Sequence, residues 1–184
     1  MGVQTVRRAI FLDRDGVLNE AVIRDGKPYP PSSAAEVRLI EGAAECLARL
    51  KALGYFLLVA TNQPDVARGT QTMDELGAIN AVLEAALPLD AIFICPHDSA
   101  DGCACRKPKP GLLLLGAEHW GLSLGDCYMI GDRWRDMDAA AAAGVPGVWI
   151  DYGYRERGPS SPPAARVKNL SEAVDWIVIQ ENRR

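Results

Sequence analysis

The sequence has no surplus of positive charge: 20 Lys and Arg stand against 24 Asp and Glu, a net charge of −4. A general nucleic-acid binder needs a basic face, so this balance argues against one and confines any anion site to a local cluster. A long hydrophobic run is also missing. The N-terminal stretch MGVQTVRRAIFLD holds one short apolar segment that ends in an aspartate, which fits neither a signal peptide nor a membrane span. The expectation is a cytoplasmic protein without a membrane partner. Gly2 lacks the Ser or Thr at position 6 that myristoylation requires, since Val6 stands there. Repeats and low-complexity tracts are absent, and 184 residues leave little room for a second core. One domain over residues 1–184, acting as a monomer, is therefore expected. Disulfide-type spacing is missing too: three of the five cysteines crowd into residues 95–105, a pattern that suits metal binding. Cys46, on an amphipathic segment, and Cys127, at the start of an apolar strand, read as core residues.

What is present is an alternation of short apolar runs with amphipathic segments. Strands are predicted at AIFL (9–12), YFLLVA (55–60), AIFI (91–94), YMI (128–130) and VWI (148–150). Helices are predicted near 43–53, 73–87 behind the capping-box pair Thr72 and Glu75, 111–120, 135–143 and 171–180. Strands that are apolar throughout and separated by helices imply a parallel sheet covered on both faces, hence a doubly wound, Rossmann-like α/β fold. GPSSPPAAR (158–166) reads as a connector to a docked terminal helix. NEAVIRDGKPYPP (19–31) carries a hairpin signal at Asp25-Gly26 and predicts a small flap after the first strand.

In such sheets ligands bind beyond the carboxyl ends of the strands. Those ends are followed here by DRDG (13–16), TNQ (61–63), the cysteine-rich stretch running into RKPKPG (106–111), and GDRWRD (131–136). Asp13 and Asp15, two apart, point to one side of an extended chain and must share a proton or a cation. With Asp132 they form a hard, oxygen-rich site suited to Mg²⁺. Lys107 supplies a cation for a phosphoryl group, Thr61 a hydroxyl, and Asn62 and Gln63 amide donors. A calcium loop is disfavoured, because its glycine comes sixth and the one here comes fourth.

Cys95-x-His97 and Cys103-x-Cys105 offer four soft ligands in a short loop turned by Gly102. Four protein ligands close a tetrahedral Zn²⁺ site with no position for substrate, so its expected role is structural. His119, alone on a helix, has no such partners.

FLDRDG, VATN, the lysine of CRKPKPG and IGDRWRD, in that order, resemble the four motifs of the haloacid dehalogenase superfamily over roughly residues 8–155. The cysteine and histidine insert, with DRDG and TNQ, is similar to the capless, zinc-loop branch that holds heptose bisphosphate phosphatases and histidinol-phosphate phosphatases. The resemblance implies a Mg²⁺-dependent phosphatase in which Asp13 is the nucleophile and Asp15 the acid and base. Asp13, the Asp15 backbone carbonyl and Asp132 would hold Mg²⁺. Thr61 and Lys107 would stabilise the phosphoryl group, and Asp136 would orient Lys107 or the metal's water shell. A second aspartate at the Asp15 position implies phosphate transfer rather than dehalogenation.

Arg68, Arg106, Arg133 and Arg135 gather on the predicted rim of an acidic chain, which favours a substrate with a second anion, a sugar bisphosphate, over histidinol phosphate. TNQPDVARGT is similar to the heptose-type TNQ loop, and Asn19 matches an asparagine of that pattern, so Asn19, Asn62, Gln63, Arg68, Arg106 and Arg133 are the expected substrate contacts. Two departures touch specificity: Pro64-Asp65 replaces Ser-Gly, and Ala21 stands in place of an acidic residue. Histidinol-phosphate hydrolysis is the alternative substrate assignment. A phosphoacceptor signalling domain is a further alternative, but it lacks the Asp13/Asp15 pair and the zinc loop. A zinc-clipped binding module is the last, and the full set of catalytic side chains argues against it.

Overall fold

The computed structural model describes residues 7–183, so the N-terminal segment with Gly2 lies outside the described residues. The elements follow in the order β1 (Ala9–Leu12), β2 (Val22–Arg24), β3 (Lys27–Tyr29), α1 (Ala43–Ala52), β4 (Phe56–Asn62), α2 (Met73–Ala86), β5 (Ala91–Cys95), α3 (Gly111–Trp120), β6 (Tyr128–Gly131), α4 (Trp134–Ala143), β7 (Gly147–Ile150), β8 (Ala165–Val167) and α5 (Leu170–Glu181). Six strands form one sheet in the order β5-β4-β1-β6-β7-β8, every pair parallel. The strands alternate their side chains between two cores, which is why they are apolar throughout. Ile10, Leu12, Leu57, Val59, Val148 and Ile150 pack with α1, α2 and α5 on one face. Ala9, Phe11, Leu58, Ala60 and Met129 pack with α3 and α4 on the other.

The chain builds outward from β1 through β4 to β5 and then crosses back to β6, so the strand order reverses between β1 and β6. That is where a crevice opens in a doubly wound sheet. The Asp13 amide extends the pairing past the end of β1 by donating to the Ile130 carbonyl at 2.9 Å, which sets Asp13 beside the loop that carries Asp132. The flap is a two-stranded hairpin, Val22 opposite Tyr29 and Arg24 opposite Lys27. Its turn has φ of 51° at Asp25 and 74° at Gly26, the left-handed pair that a two-residue hairpin turn requires. No separate cap domain stands over the strand ends among the described residues.

Most elements shift at one or both ends by a residue or two from expectation, and three of the differences have a clear physical reason. β8 overlaps the end of the segment expected to be a connector and pairs with β7; three residues after a proline-rich loop are too few to show a period. β4 continues to Asn62, where Thr61 pairs with Ile94 and Asn62 with Cys95, so these polar residues end the strand instead of following it. The terminal helix begins at Leu170, because the Asn169 side chain accepts from the Glu172 amide at 2.9 Å and caps it. Among the described residues no helix is long and apolar enough to cross a membrane.

Candidate active site

Beyond the ends of β1 and β6, Asp13, Asp132 and Asp136 each present a carboxylate oxygen, all within 4.8 Å of one another, and all three are buried. Lys107 joins them with its Nζ 2.9 Å from Asp13 Oδ1 and 2.5 Å from Asp136 Oδ1. The last residue of β4 places it there: Asn62 Nδ2 donates to the Lys107 carbonyl at 3.0 Å and Asn62 Oδ1 accepts from the Lys107 amide at 3.1 Å. Asn62 thus grips the lysine's backbone through both polar atoms of its amide, while the residue also lines the cavity above.

Burial, and then the neighbouring Asp136, push the Asp13 carboxyl from an ordinary 3.8 up to about 6, against the pull of Lys107. Burial, followed by Asp13 and Asp136, raises Asp132 well above the usual carboxylate range. Burial opposes the charge on Lys107, but Asp13 and Asp136 outweigh it and hold the ammonium firmly protonated. Fully ionised, the three buried carboxylates would exceed the one ammonium by two negative charges, a cost of several kcal/mol per unpaired ion that a bound cation would offset. The donors are all oxygen, which fits Mg²⁺. Asp132 sharpens the fit. Its Oδ2 accepts from the Tyr154 hydroxyl at 2.9 Å, while its buried Oδ1 has no hydrogen-bond partner. Gly16 is required for this packing: φ is +86°, and a Cβ would lie 2.0 Å from Asp132 Oδ2.

Asp15 is arranged differently from the expectation that its carboxylate joins Asp13 at a shared cation. The Arg14 guanidinium forks onto it through Nε at 3.2 Å and Nη2 at 3.1 Å. Asn19 Nδ2 donates to it at 3.0 Å and Gln63 Nε2 at 2.8 Å. Gln63 Nε2 also reaches Thr61 Oγ1 at 2.9 Å. Arg14 is fully buried, with Nη1 on Asn80 Oδ1 of α2 at 3.0 Å. Asp136 therefore takes the place in the acidic cluster that spacing alone assigned to the Asp15 side chain. Asn19 and Gln63, expected among the substrate contacts, are buried behind Asp15 and direct their amides at it. Their amide donors are short and fixed, and the nearest buried acceptor takes them.

Above these groups lies a cavity of about 250 Å³ lined by Asp13, Asp15, Lys107, the hairpin residues Lys27 to Pro30, and Arg68, Arg106, Arg133 and Arg135. The cations of its wall are not equivalent. Arg68 is tied to Asp98 at 2.7 Å and Asp65 at 3.3 Å. Arg106 donates to the His97 carbonyl at 2.9 Å, and Arg133 forks onto Glu156. Arg135 stacks on Trp134, 4.3 Å from its ring centre. Burial, then Arg133 and Arg106, lower its pKa and outweigh the opposing pull of Glu156, as expected of a partly buried cation crowded by other cations. Neither Arg135 nor Lys27 has an ion pair among the described residues. Lys27, Tyr154, Glu156 and Arg14 were not expected at the site from sequence. The hairpin signal could have found Lys27, and its place inside DRDG could have marked Arg14; nothing local marks Tyr154 or Glu156.

The second cluster is Cys95, at the end of β5, with His97, Cys103 and Cys105. Cys95 Sγ lies 3.7 Å from His97 Nδ1, 3.7 Å from Cys103 Sγ and 3.2 Å from Cys105 Sγ. Cys105 Sγ lies 3.3 Å from His97 Nδ1 and 3.4 Å from Cys103 Sγ. Zinc bonds of about 2.3 Å to sulfur and about 2.0 Å to nitrogen set tetrahedral ligand atoms about 3.5 to 3.8 Å apart; the four atoms here, 3.2 to 3.7 Å apart, are gathered slightly tighter than that spacing and are the right donor set for one Zn²⁺. The loop packs on the start of α3, where a Cβ on Gly111 would lie 2.3 Å from the Ala104 carbonyl oxygen. Lys109 Nζ ties it further, donating to the Gly102 and Cys103 carbonyls at 2.7 and 2.8 Å.

Comparison with known proteins agrees with this geometry. Residues 31–144 match the model of a hydrolase family, the haloacid dehalogenase-like hydrolases. The chain is 39% identical over 182 residues to the D-glycero-beta-D-manno-heptose-1,7-bisphosphate 7-phosphatase of Bordetella bronchiseptica, covering 95% of this chain and 99% of that one. It is 35% identical over 181 residues to the enzyme of the same name from Helicobacter pylori, covering 94% and 98%. Among solved structures, the D,D-heptose 1,7-bisphosphate phosphatase of B. bronchiseptica complexed with magnesium and phosphate superposes with a TM-score of 0.75 at 30% identity, over 95% of this chain and 99% of that one.

Proposed function

The chain belongs to the haloacid dehalogenase-like hydrolases and is a phosphatase, and from that premise we propose that it hydrolyses a sugar bisphosphate, D-glycero-D-manno-heptose 1,7-bisphosphate, at its 7-phosphate. Phosphatases of this family use Mg²⁺. Asp13, Asp132 and the Asp15 backbone would hold the ion, which neutralises the two surplus negative charges and offsets the repulsion between a carboxylate and a phosphate dianion. The Asp13 carboxylate attacks phosphorus and the ester P–O bond breaks. Asp15 gives its proton to the departing alkoxide and then takes one from the water that attacks the aspartyl-phosphate, releasing inorganic phosphate and restoring Asp13. Lys107 and the Thr61 hydroxyl face the charge that develops on the transferring group. Asn62 acts through its grip on Lys107, Asn19 and Gln63 through theirs on Asp15.

The observation that carries the substrate assignment is the pair of cations, Lys27 and Arg135, that face the cavity without carboxylate partners. They suit a second phosphate and disfavour the amine of histidinol phosphate. Arg68, Arg106 and Arg133 add positive potential around them while paired or bonded to the protein. We assign the cysteine and histidine cluster a structural Zn²⁺ that fixes the backbone just ahead of Arg106 and Lys107. The cysteines are unpaired, in keeping with a reducing compartment, and the protein is proposed to act as a cytoplasmic monomer of one domain. The test is kcat/KM for both anomers of heptose 1,7-bisphosphate, for histidinol phosphate and for simple sugar monophosphates. The bisphosphate should lead; a preference for histidinol phosphate, or equal rates on monophosphates, would overturn the assignment.

A further inference from the structure

Asp132 is held by more than its place on the loop after β6. Its backbone carbonyl accepts from Trp149 Nε1 at 3.1 Å, and its Oδ2 is wedged against Gly16 and bonded to the Tyr154 hydroxyl. Tyr154 comes from the segment after β7, and that segment is tethered on both sides. Gly153, at φ 72°, donates its amide to Asp151 Oδ1 at 2.8 Å. The Arg155 amide donates to the Gly26 carbonyl of the hairpin at 2.9 Å, and Glu156 receives the fork of Arg133. The phenol is thus fixed, with its donor committed to one oxygen, while the other oxygen of the same carboxylate is buried and bare.

We propose that Tyr154 is a positioning residue that reserves Asp132 Oδ2, leaves Oδ1 alone for the cation, and so biases the site toward Mg²⁺ over Ca²⁺. The inference rests on the magnesium-dependent activity above. Mg²⁺ takes single oxygens in a near-octahedral shell at about 2.0–2.1 Å, whereas Ca²⁺ takes about 6–8 oxygens and commonly both from one carboxylate. A carboxylate with one oxygen held by a phenol can serve the first ion fully and the second only at the loss of that hydrogen bond. Partners of this kind, one bond away from the metal, typically change affinity by about 10- to 100-fold when removed.

The experiment is isothermal titration of the full chain, stripped with EDTA, with MgCl₂ and with CaCl₂, for the wild type, Tyr154→Phe and Tyr152→Phe. Tyr152 stacks beside Tyr154, 5.7 Å between ring centres, and has no hydrogen bond to Asp132, so it controls for loss of a nearby hydroxyl. Melting curves in EDTA check that each variant is folded. Tyr154→Phe should weaken Mg²⁺ about tenfold or more and Ca²⁺ by a smaller factor, narrowing the preference, while Tyr152→Phe binds as the wild type does. A Mg²⁺ Kd for Tyr154→Phe within twofold of wild type, or an equal loss for both ions, would overturn the inference. A wild type that binds no Mg²⁺ would overturn the magnesium-dependent assignment itself, and the inference with it.

Discussion

Replacing Asp13 with Asn should stabilise the metal-free protein, and by an amount that depends on pH. Burial and Asp136 hold the Asp13 carboxyl at about 6 instead of 3.8. A carboxyl whose folded pKa lies above its unfolded one favours folding in its protonated form, so its contribution is present at low pH and is lost as pH rises through about 4 to about 6. A displacement of that size corresponds to about 3 kcal/mol. Asparagine has no charge to lose. In urea unfolding with EDTA present, Asp13→Asn should therefore gain up to about 3 kcal/mol on the wild type between about pH 4 and about pH 7.5. Using the difference between the two proteins cancels carboxylates that titrate alike in both, such as Asp98, which Arg68 holds down at about 2. Saturating Mg²⁺ should reverse the order at the higher pH, since ligand binding stabilises only the protein that keeps its site. A difference that stays constant with pH, or moves toward the wild type in EDTA, would refute the picture of a crowded buried anion.

Lys107→Ala removes the one ammonium among three carboxylates and should lower kcat by about 10²–10³; steady-state kinetics at saturating Mg²⁺ that show less than a tenfold loss would speak against it. Stripping zinc, or Cys105→Ser, should lower turnover by loosening Arg106 and Lys107. Metal content measured beside kcat and KM checks this, and a zinc-free protein with both constants unchanged would contradict it. Gln63→Ala frees Asp15 and Thr61 from their shared donor. It should slow an alkyl phosphate by about tenfold, part of the roughly 10²–10⁴ that a positioned acid supplies. It should spare p-nitrophenyl phosphate, whose leaving group needs no proton; equal losses on both would rule out a role through Asp15.

The apolar runs of β1, β4 and β6 carry the fold in plain view, because strands buried on both faces have no polar alternation to confuse with anything else. Parallel pairing then brings the strand ends, that of β5 included, to one rim, and so the convergence of Asp13, Asp132 and Lys107 is legible in the sequence. Side-chain direction at that rim could not. The two-residue spacing puts Asp13 and Asp15 on one side of an extended chain, but β1 ends at Leu12 and Arg14, Asn19 and Gln63 take the Asp15 carboxylate for themselves. Nothing in TNQ reveals that Asn62 also holds the backbone of Lys107. The segment after β7 carries no motif at all. Tyr154 and Glu156 reach Asp132 and Arg133 across a loop, which only tertiary packing decides.

The central claim is that Asp13 becomes phosphorylated, and the sequence offers a clean place to look. Trypsin cuts after Arg8 and Arg14, so the peptide Ala9–Arg14 holds Asp13 while Asp15 falls on the next one. Enzyme mixed with Mg²⁺ and a sugar bisphosphate, quenched in acid within a turnover and digested, should show a phosphoryl adduct on that peptide by mass spectrometry. The adduct should disappear as turnover completes and never form in Asp13→Asn. Active enzyme whose phosphoryl group lies on the Asp15 peptide, or that carries none at any time before phosphate is released, would contradict the account.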